Sequence, residues 1–80
     1  MSFEEQVEDV REIPLVQKST KQVQDMKALA DQGDPIAKRE LDFALSQLKR
    51  MAKGELNPVT KQIEKNVFSA AVLKNIGESF

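Results

Sequence analysis

Along this chain, apolar residues recur at helical spacing in segments separated by clear stop signals. Val23, Met26 and Ala30 share one face, with Leu29 at its margin. Ser19 and Gln22 form an S-x-x-Q capping box ahead of them, and Gly33 follows as a natural C′ residue, which predicts a helix over about 20–32. Asp34-Pro35 pairs a favoured N-cap with a favoured first helical residue, predicting a second helix from Pro35 to about Lys53 that stops at Gly54. Its apolar sector is Ala37, Leu41, Ala44, Leu45, Leu48, Met51 and Ala52, expected in the core. Asn57-Pro58 repeats the start signal, so a third helix is expected over about 58–76, ended by Gly77, with Val59, Ile63, Val67 and Ala70 as its core stripe. With only Gly33 and Asp34 between them, the first two helices must be neighbours.

Residues 1–18 read less regularly. Ser2 and Glu5 make a second capping box, and Phe3, Val7 and Val10 have helical spacing, with Pro14 ending that helix near Glu12. Against it stand the i,i+4 acidic pairs Glu4/Glu8, Glu5/Asp9 and Glu8/Glu12. The expected architecture is therefore all-α: a small three-helix bundle over 19–77, preceded by an acidic arm or short fourth helix over 1–18 and followed by a tail over 78–80. Eighty residues make one domain at most, with a small core for which oligomerisation or a partner would supply extra burial.

Two apolar sets fall off the expected core stripes. Ile36 and Phe43 lie one heptad apart, nearly opposite the main sector of the central helix. They are either covered by a neighbouring segment or open to a partner. From Val67 to Leu73 the sequence VFSAAVL is apolar nearly all round, and such a helix needs burial on every side. Phe68, Val72 and Ile76 are thus either an intermolecular patch or the seat of Phe3, Val7 and Val10.

Charge adds one asymmetry. The chain has twelve basic and thirteen acidic side chains, a net charge of −1. Residues 1–13 hold five acids and one base, whereas the remainder holds eleven bases and eight acids. Lys38, Arg39, Lys49, Arg50 and Lys53 lie on one broad flank of the central helix, a solvated face first and an anionic-partner surface second. The balanced total gives no global attraction to nucleic acid, and aromatic content of 5 % is low for base stacking. Gly33 as the turn of a DNA-binding helix-turn-helix would place Arg39 and Asp42 where buried apolar residues belong.

The chemistry-bearing residues are few. The absence of Cys and His removes thiol nucleophiles, thiolate metal sites and the commonest general base. The three glycines are single helix stops rather than a phosphate-binding loop, and no pattern of a Ca²⁺ loop appears. No catalytic, cofactor or metal residues are expected, and no small-molecule substrate is evident. The acidic N-terminus is unlike a secretory signal. The apolar run at Val67–Leu73 is far short of the roughly 20 residues that span a bilayer. The expected setting is cytoplasmic or an intracellularly assembled particle, with no membrane.

The stretch Ala30-Asp31-Gln32-Gly33-Asp34-Pro35-Ile36-Ala37, followed by Leu41, resembles the A-x-Q-G-D-x-x-A-x-x-x-L turn of Sel1-type helical repeats. It covers about twelve residues once, and Asp42 stands where those repeats have a small residue. The resemblance implies a helix-turn-helix corner and no particular function. The leading functional expectation is a non-enzymatic protein–protein interaction module, a small assembly or adaptor subunit that pairs with a protein or with itself. The alternatives are a regulatory inhibitor using the acidic arm on an enzyme or polymerase, and a weak nucleic-acid binder using the basic flank.

Overall fold

A computed structural model of the protein describes residues 2–80. These form α1 (Phe3–Val10), α2 (Pro14–Asp31), α3 (Pro35–Lys53), β1 (Glu55–Leu56), β2 (Ile63–Glu64) and α4 (Val67–Asn75). The fold is thus mainly α-helical, with one two-stranded antiparallel hairpin. The short N-terminal helix is part of the fold, and two of the other expected helices have different limits.

At the start of α2, tertiary burial outweighs the local cap. The helix begins at Pro14, in the first helical turn where proline's missing N–H costs nothing, and runs through Ser19 and Gln22 without a break. Val16, Thr20 and Val23, spaced i, i+4, i+7, are all buried along it. A helix begun at Ser19 would forfeit Val16. The expected division between 18 and 19 therefore falls inside α2. Pro14 still bounds α1, which ends at Val10; its N-terminus carries the expected cap, with the Glu5 N–H donating to Ser2 Oγ at 3.2 Å.

The α2–α3 corner follows the sequence reading closely. Gly33, at φ +95°, sits at C′, where the Gly33 N–H donates to the Ala30 carbonyl (3.0 Å) and the Asp34 N–H to the Leu29 carbonyl (3.2 Å). This is a Schellman closure. Asp34 Oδ1 then accepts from the Ile36 and Ala37 N–H groups at 2.9 and 3.2 Å, starting α3. The second half of α4 ends in the same way, with Glu78 N–H to the Leu73 carbonyl (2.9 Å) and Gly77 N–H to the Lys74 carbonyl (3.2 Å).

The expected helix over 58–76 is replaced by a hairpin and a nine-residue helix. Asn57 does cap a turn: its Oδ1 accepts from the Val59 and Thr60 N–H groups at 2.8 and 3.2 Å. After that single turn Lys61 takes φ +56° and the chain reverses, pairing Leu56 with Ile63 and Glu55 with Glu64. Val59 and Ile63, expected in the core, are consequently exposed. The reversal ends at Asn66, whose N–H donates to the Met51 carbonyl (2.9 Å) and whose Oδ1 caps α4 at the Ser69 N–H (2.9 Å). This clasp redirects the all-round apolar stretch into the interior.

There, Ser69, Ala70, Ala71, Val72 and Leu73 are buried in succession. Helix α4 packs against α1, α2 and α3, while α2 and α3 also pack on each other. The buried cluster adds Val7 from α1, Val16 and Val23 from α2 and Ala52 from α3 to the four apolar residues of α4. The two long helices have 18 and 19 residues against nine in α4, so their Gly33 end extends past it. The radius of gyration of 13.7 Å reflects this elongation, since a compact chain of this length is expected near 12 Å.

Leu73 is fully buried at the centre of this arrangement. Leu73→Ala is expected to cost about 2–5 kcal/mol of unfolding free energy, enough to unfold much of a domain this small. Urea unfolding followed by circular dichroism would show it as a lower midpoint. Substituting the exposed Leu15 by Ala should shift that midpoint far less.

Candidate interaction surfaces

The most connected polar group lies where the α1–α2 corner meets the end of α4. Asn75 Oδ1 accepts from Arg11 Nε at 2.8 Å, and Asn75 Nδ2 donates to the Arg11 carbonyl (3.1 Å) and to Thr20 Oγ1 (3.2 Å). The Thr20 hydroxyl donates in turn to the Val16 carbonyl at 2.8 Å, and Gln17 Nε2 to the Arg11 carbonyl at 2.8 Å. Every member is paired, and no buried side-chain polar atom among the described residues lacks a partner. The network ties the α1–α2 corner to the end of α4.

Glu8 completes it electrostatically. Its carboxylate is paired with Lys74 of α4 and, at 3.1 Å, with Arg11. The Lys74 ammonium first, and then the Arg11 guanidinium, hold the Glu8 carboxyl below its ordinary value of 4.5. Two further pairs on the surface join Lys49 to Glu78 at 3.2 Å and Arg50 to Glu55.

The open spaces are shallow. The broadest near an apolar floor, about 660 Å³, lies among Phe3, Val7, Ala52, Lys53, Lys65 and Phe80. Phe3 meets Phe80 edge-on with ring centroids 6.5 Å apart, and Lys65 Nζ stands 5.2 Å from the Phe3 centroid, so the two termini are joined there. A smaller notch of about 160 Å³ is lined by Leu15, Val16, Leu48, Phe68 and Val72, with two serines. Among the described residues no three acidic side chains converge as metal ligands, and no helix is long and apolar enough to cross a membrane.

The sequence-selected apolar residues separate in space. Ile36 and Phe43 are both about two-thirds exposed on the outer face of α3. Phe68 is 45 % exposed and rims the small notch. Val72 is only 3 % exposed and Ile76 is partly buried against the core. Val72 is therefore a core residue, covered internally because α4 lies inside the fold, whereas Ile76 is half-buried beside Val23, Leu41 and Leu45 at an open depression. Lys38, Arg39, Arg50 and Lys53 are exposed and Lys49 is half-buried, with Arg50 and Lys49 engaged in the ion pairs above.

The hairpin supplies a surface that helical periodicity misassigned. Leu56 and Ile63 are directly opposed across it, both more than 60 % exposed, and Val59 at the tip is 88 % exposed. The backbone beneath them is ordered. The Asn57 N–H donates to the Gln62 carbonyl (2.8 Å), the Lys61 N–H to the Asn57 carbonyl (2.7 Å), and Asn57 Nδ2 to Glu64 Oε1 (3.1 Å). Gly54, at φ +90°, allows the hairpin to leave α3; a Cβ there would lie 2.7 Å from Ile63 Cγ2 and 2.9 Å from the Glu64 carbonyl oxygen. The available signal was the turn character of Asn-Pro, with β-branched Val59, Thr60 and Ile63 close by.

Compared with protein-family models, curated proteins and solved structures, the chain shows no match.

Two expectations follow from the polar corner. Asn75→Ala leaves Arg11 and Thr20 short of their partner and should lower stability by about 1–3 kcal/mol in chemical denaturation. Because the Glu8 carboxyl is depressed when folded, its stabilisation is present above pH 4.5 and fades as pH falls through the lower folded value. In thermal melts taken from pH 6 to about pH 3, Glu8→Gln should flatten the acid decline relative to wild type.

Proposed function

We propose that this protein is a non-enzymatic protein–protein interaction module, acting as a small assembly or adaptor subunit. The observation that supports this most is the hairpin: an apolar tip of Leu56, Val59 and Ile63, exposed on backbone held by several hydrogen bonds. Exposed aliphatic side chains on an ordered turn enter an interface with little ordering entropy left to lose. Ile36 and Phe43 give a second exposed apolar set on α3. Substitution at these positions leaves the core cluster untouched, because none of the five belongs to it.

The acidic outer face of α1 and the exposed bases of α3 then act as surrounding charge that steers and selects a partner. This favours neither a nucleic-acid groove nor an acidic inhibitor arm, since α1 is docked on α4 and the basic flank is interrupted by ion pairs. The test is capture from the native source with wild-type protein, Val59→Asp and Phe43→Asp, alongside the solution mass of each. A stoichiometric partner, or self-association, lost in either variant while the melting temperature holds supports the reading. Equal recovery by all three proteins, or neither partner nor self-association, would falsify it.

A further inference from the structure

Helix α1 packs principally on one neighbour, α4, whereas α4 also packs on α2 and α3. Of its residues only Val7 is buried, with Phe3 and Val10 partly covered. Its polar ties to α4 lie at or near the surface, Glu8 to Lys74 and Arg11 to Asn75. Eight residues with repeated acidic i,i+4 pairs do not hold a helix without a surface to lie on. Lifting such a segment off its seat costs less than unfolding the whole domain.

The joint to α2 suits a pivot. Only Arg11, Glu12 and Ile13 separate the two helices. Ile13 is already extended, at φ −66° and ψ 148°, as suits a residue before proline. Pro14 has no N–H to lose, and the Gln17 N–H bond to the Ile13 carbonyl starts α2 whichever way α1 points. Three extended residues reach about 10 Å. The seat itself has one evident filler. Residues 69–73 of α4 are buried, so uncovering their α1 side would expose apolar surface to water. The segment that fits there carries Phe3, Val7 and Val10 on one face, with Glu8 and Arg11 placed for Lys74 and Asn75. Residues 1–13 hold five acids and one base, and the remainder eleven bases and eight acids, so this arm is attracted to the body of any copy.

We infer that α1 is an exchangeable arm, and that its seat on α4 also receives the α1 of a second copy of this chain. Two copies open at Arg11–Ile13, and each lays its α1 on the other's α4 about a two-fold axis. Val7, Glu8 and Arg11 then meet the same groups as in the monomer, so these contacts cancel between the two states. The balance is set by the joint and by protein concentration. The inference goes beyond the hairpin reading and uses none of its residues.

The experiment uses the full chain in sedimentation velocity, over concentrations up to about 1 mM. Wild type is expected to pass from monomer toward dimer as concentration rises. The length of the joint should move that balance in opposite directions. Deleting Glu12 hinders α1 from folding back on its own body and should strengthen dimerisation by about tenfold or more. Inserting about six Gly and Ser residues after Glu12 eases closure and should weaken it as much. Circular dichroism checks that both variants fold. The chain has no Cys, so Glu8→Cys in one copy and Lys74→Cys in another can be joined specifically by a short bis-maleimide. Mixed at dimer-forming concentration, these two should yield cross-linked heterodimer in excess of either homodimer, and the insertion placed in both should lower that yield. Val59→Asp and Phe43→Asp should change none of this, so the inference and the hairpin reading fail separately. Wild type that stays monomeric over the whole range, a dimer indifferent to the length of the joint, or heterodimer no more abundant than homodimer overturns the inference.

Discussion

Helix α4 is apolar on all sides, and the rest of the molecule is arranged by the need to cover it. Burying Ser69 to Leu73 in unbroken succession leaves no face of that stretch for water, and only Phe68 and Lys74 on either side of it are exposed. Two neighbours make a groove and cover only part of such a helix; α1 closes the remaining side. An eight-residue helix with repeated acidic i,i+4 pairs has little stability in isolation. Here it is held by the burial of Val7 and by Glu8 and Arg11 reaching across to α4. A short helix with little stability of its own is therefore secured by the segment with the greatest need for cover.

The ends of α4 carry the polar cost of that burial. At its start, Asn66 satisfies two separate backbone groups, one on α3 and one on α4. At its finish, Asn75 joins the α1–α2 corner to Thr20 through three hydrogen bonds. The Asn75 side-chain amide donates and accepts at once, whereas Asn66 accepts through its side chain and donates through its backbone N–H. At the α1–α2 corner, each buried polar side chain is already engaged.

Exposure follows from a mismatch of lengths. α2 and α3 outrun α4, so a third layer is missing near Gly33, and Leu29 and Ile36 remain open there. The hairpin departs from the other end of α3 and packs only sparsely on the helices, leaving Leu56, Val59 and Ile63 in water. A small domain with a modest core thus keeps a substantial share of its large aliphatic side chains outside it. Those side chains lie on hydrogen-bonded backbone rather than in frayed ends.

Local chemistry determined the parts of this protein that depend on neighbouring residues alone. The Gly33 and Gly77 closures, the Asp34 cap, the limits of α3 and the cap of α1 were all legible, because each is a short-range hydrogen-bonding problem. So was the demand for all-round burial at residues 67–73. Tertiary structure decided which competing local signals prevailed. Ser19 lost to the buried stripe of Val16, Thr20 and Val23, and Asn57 capped one turn before Lys61 reversed the chain. It also placed Val72 in the interior and Ile76 half-buried at its margin, while leaving Ile36, Phe43 and Phe68 open. Periodicity shows that a face is apolar, but what covers that face is settled by segments distant in sequence, and here α1 and the Asn66 clasp settled it.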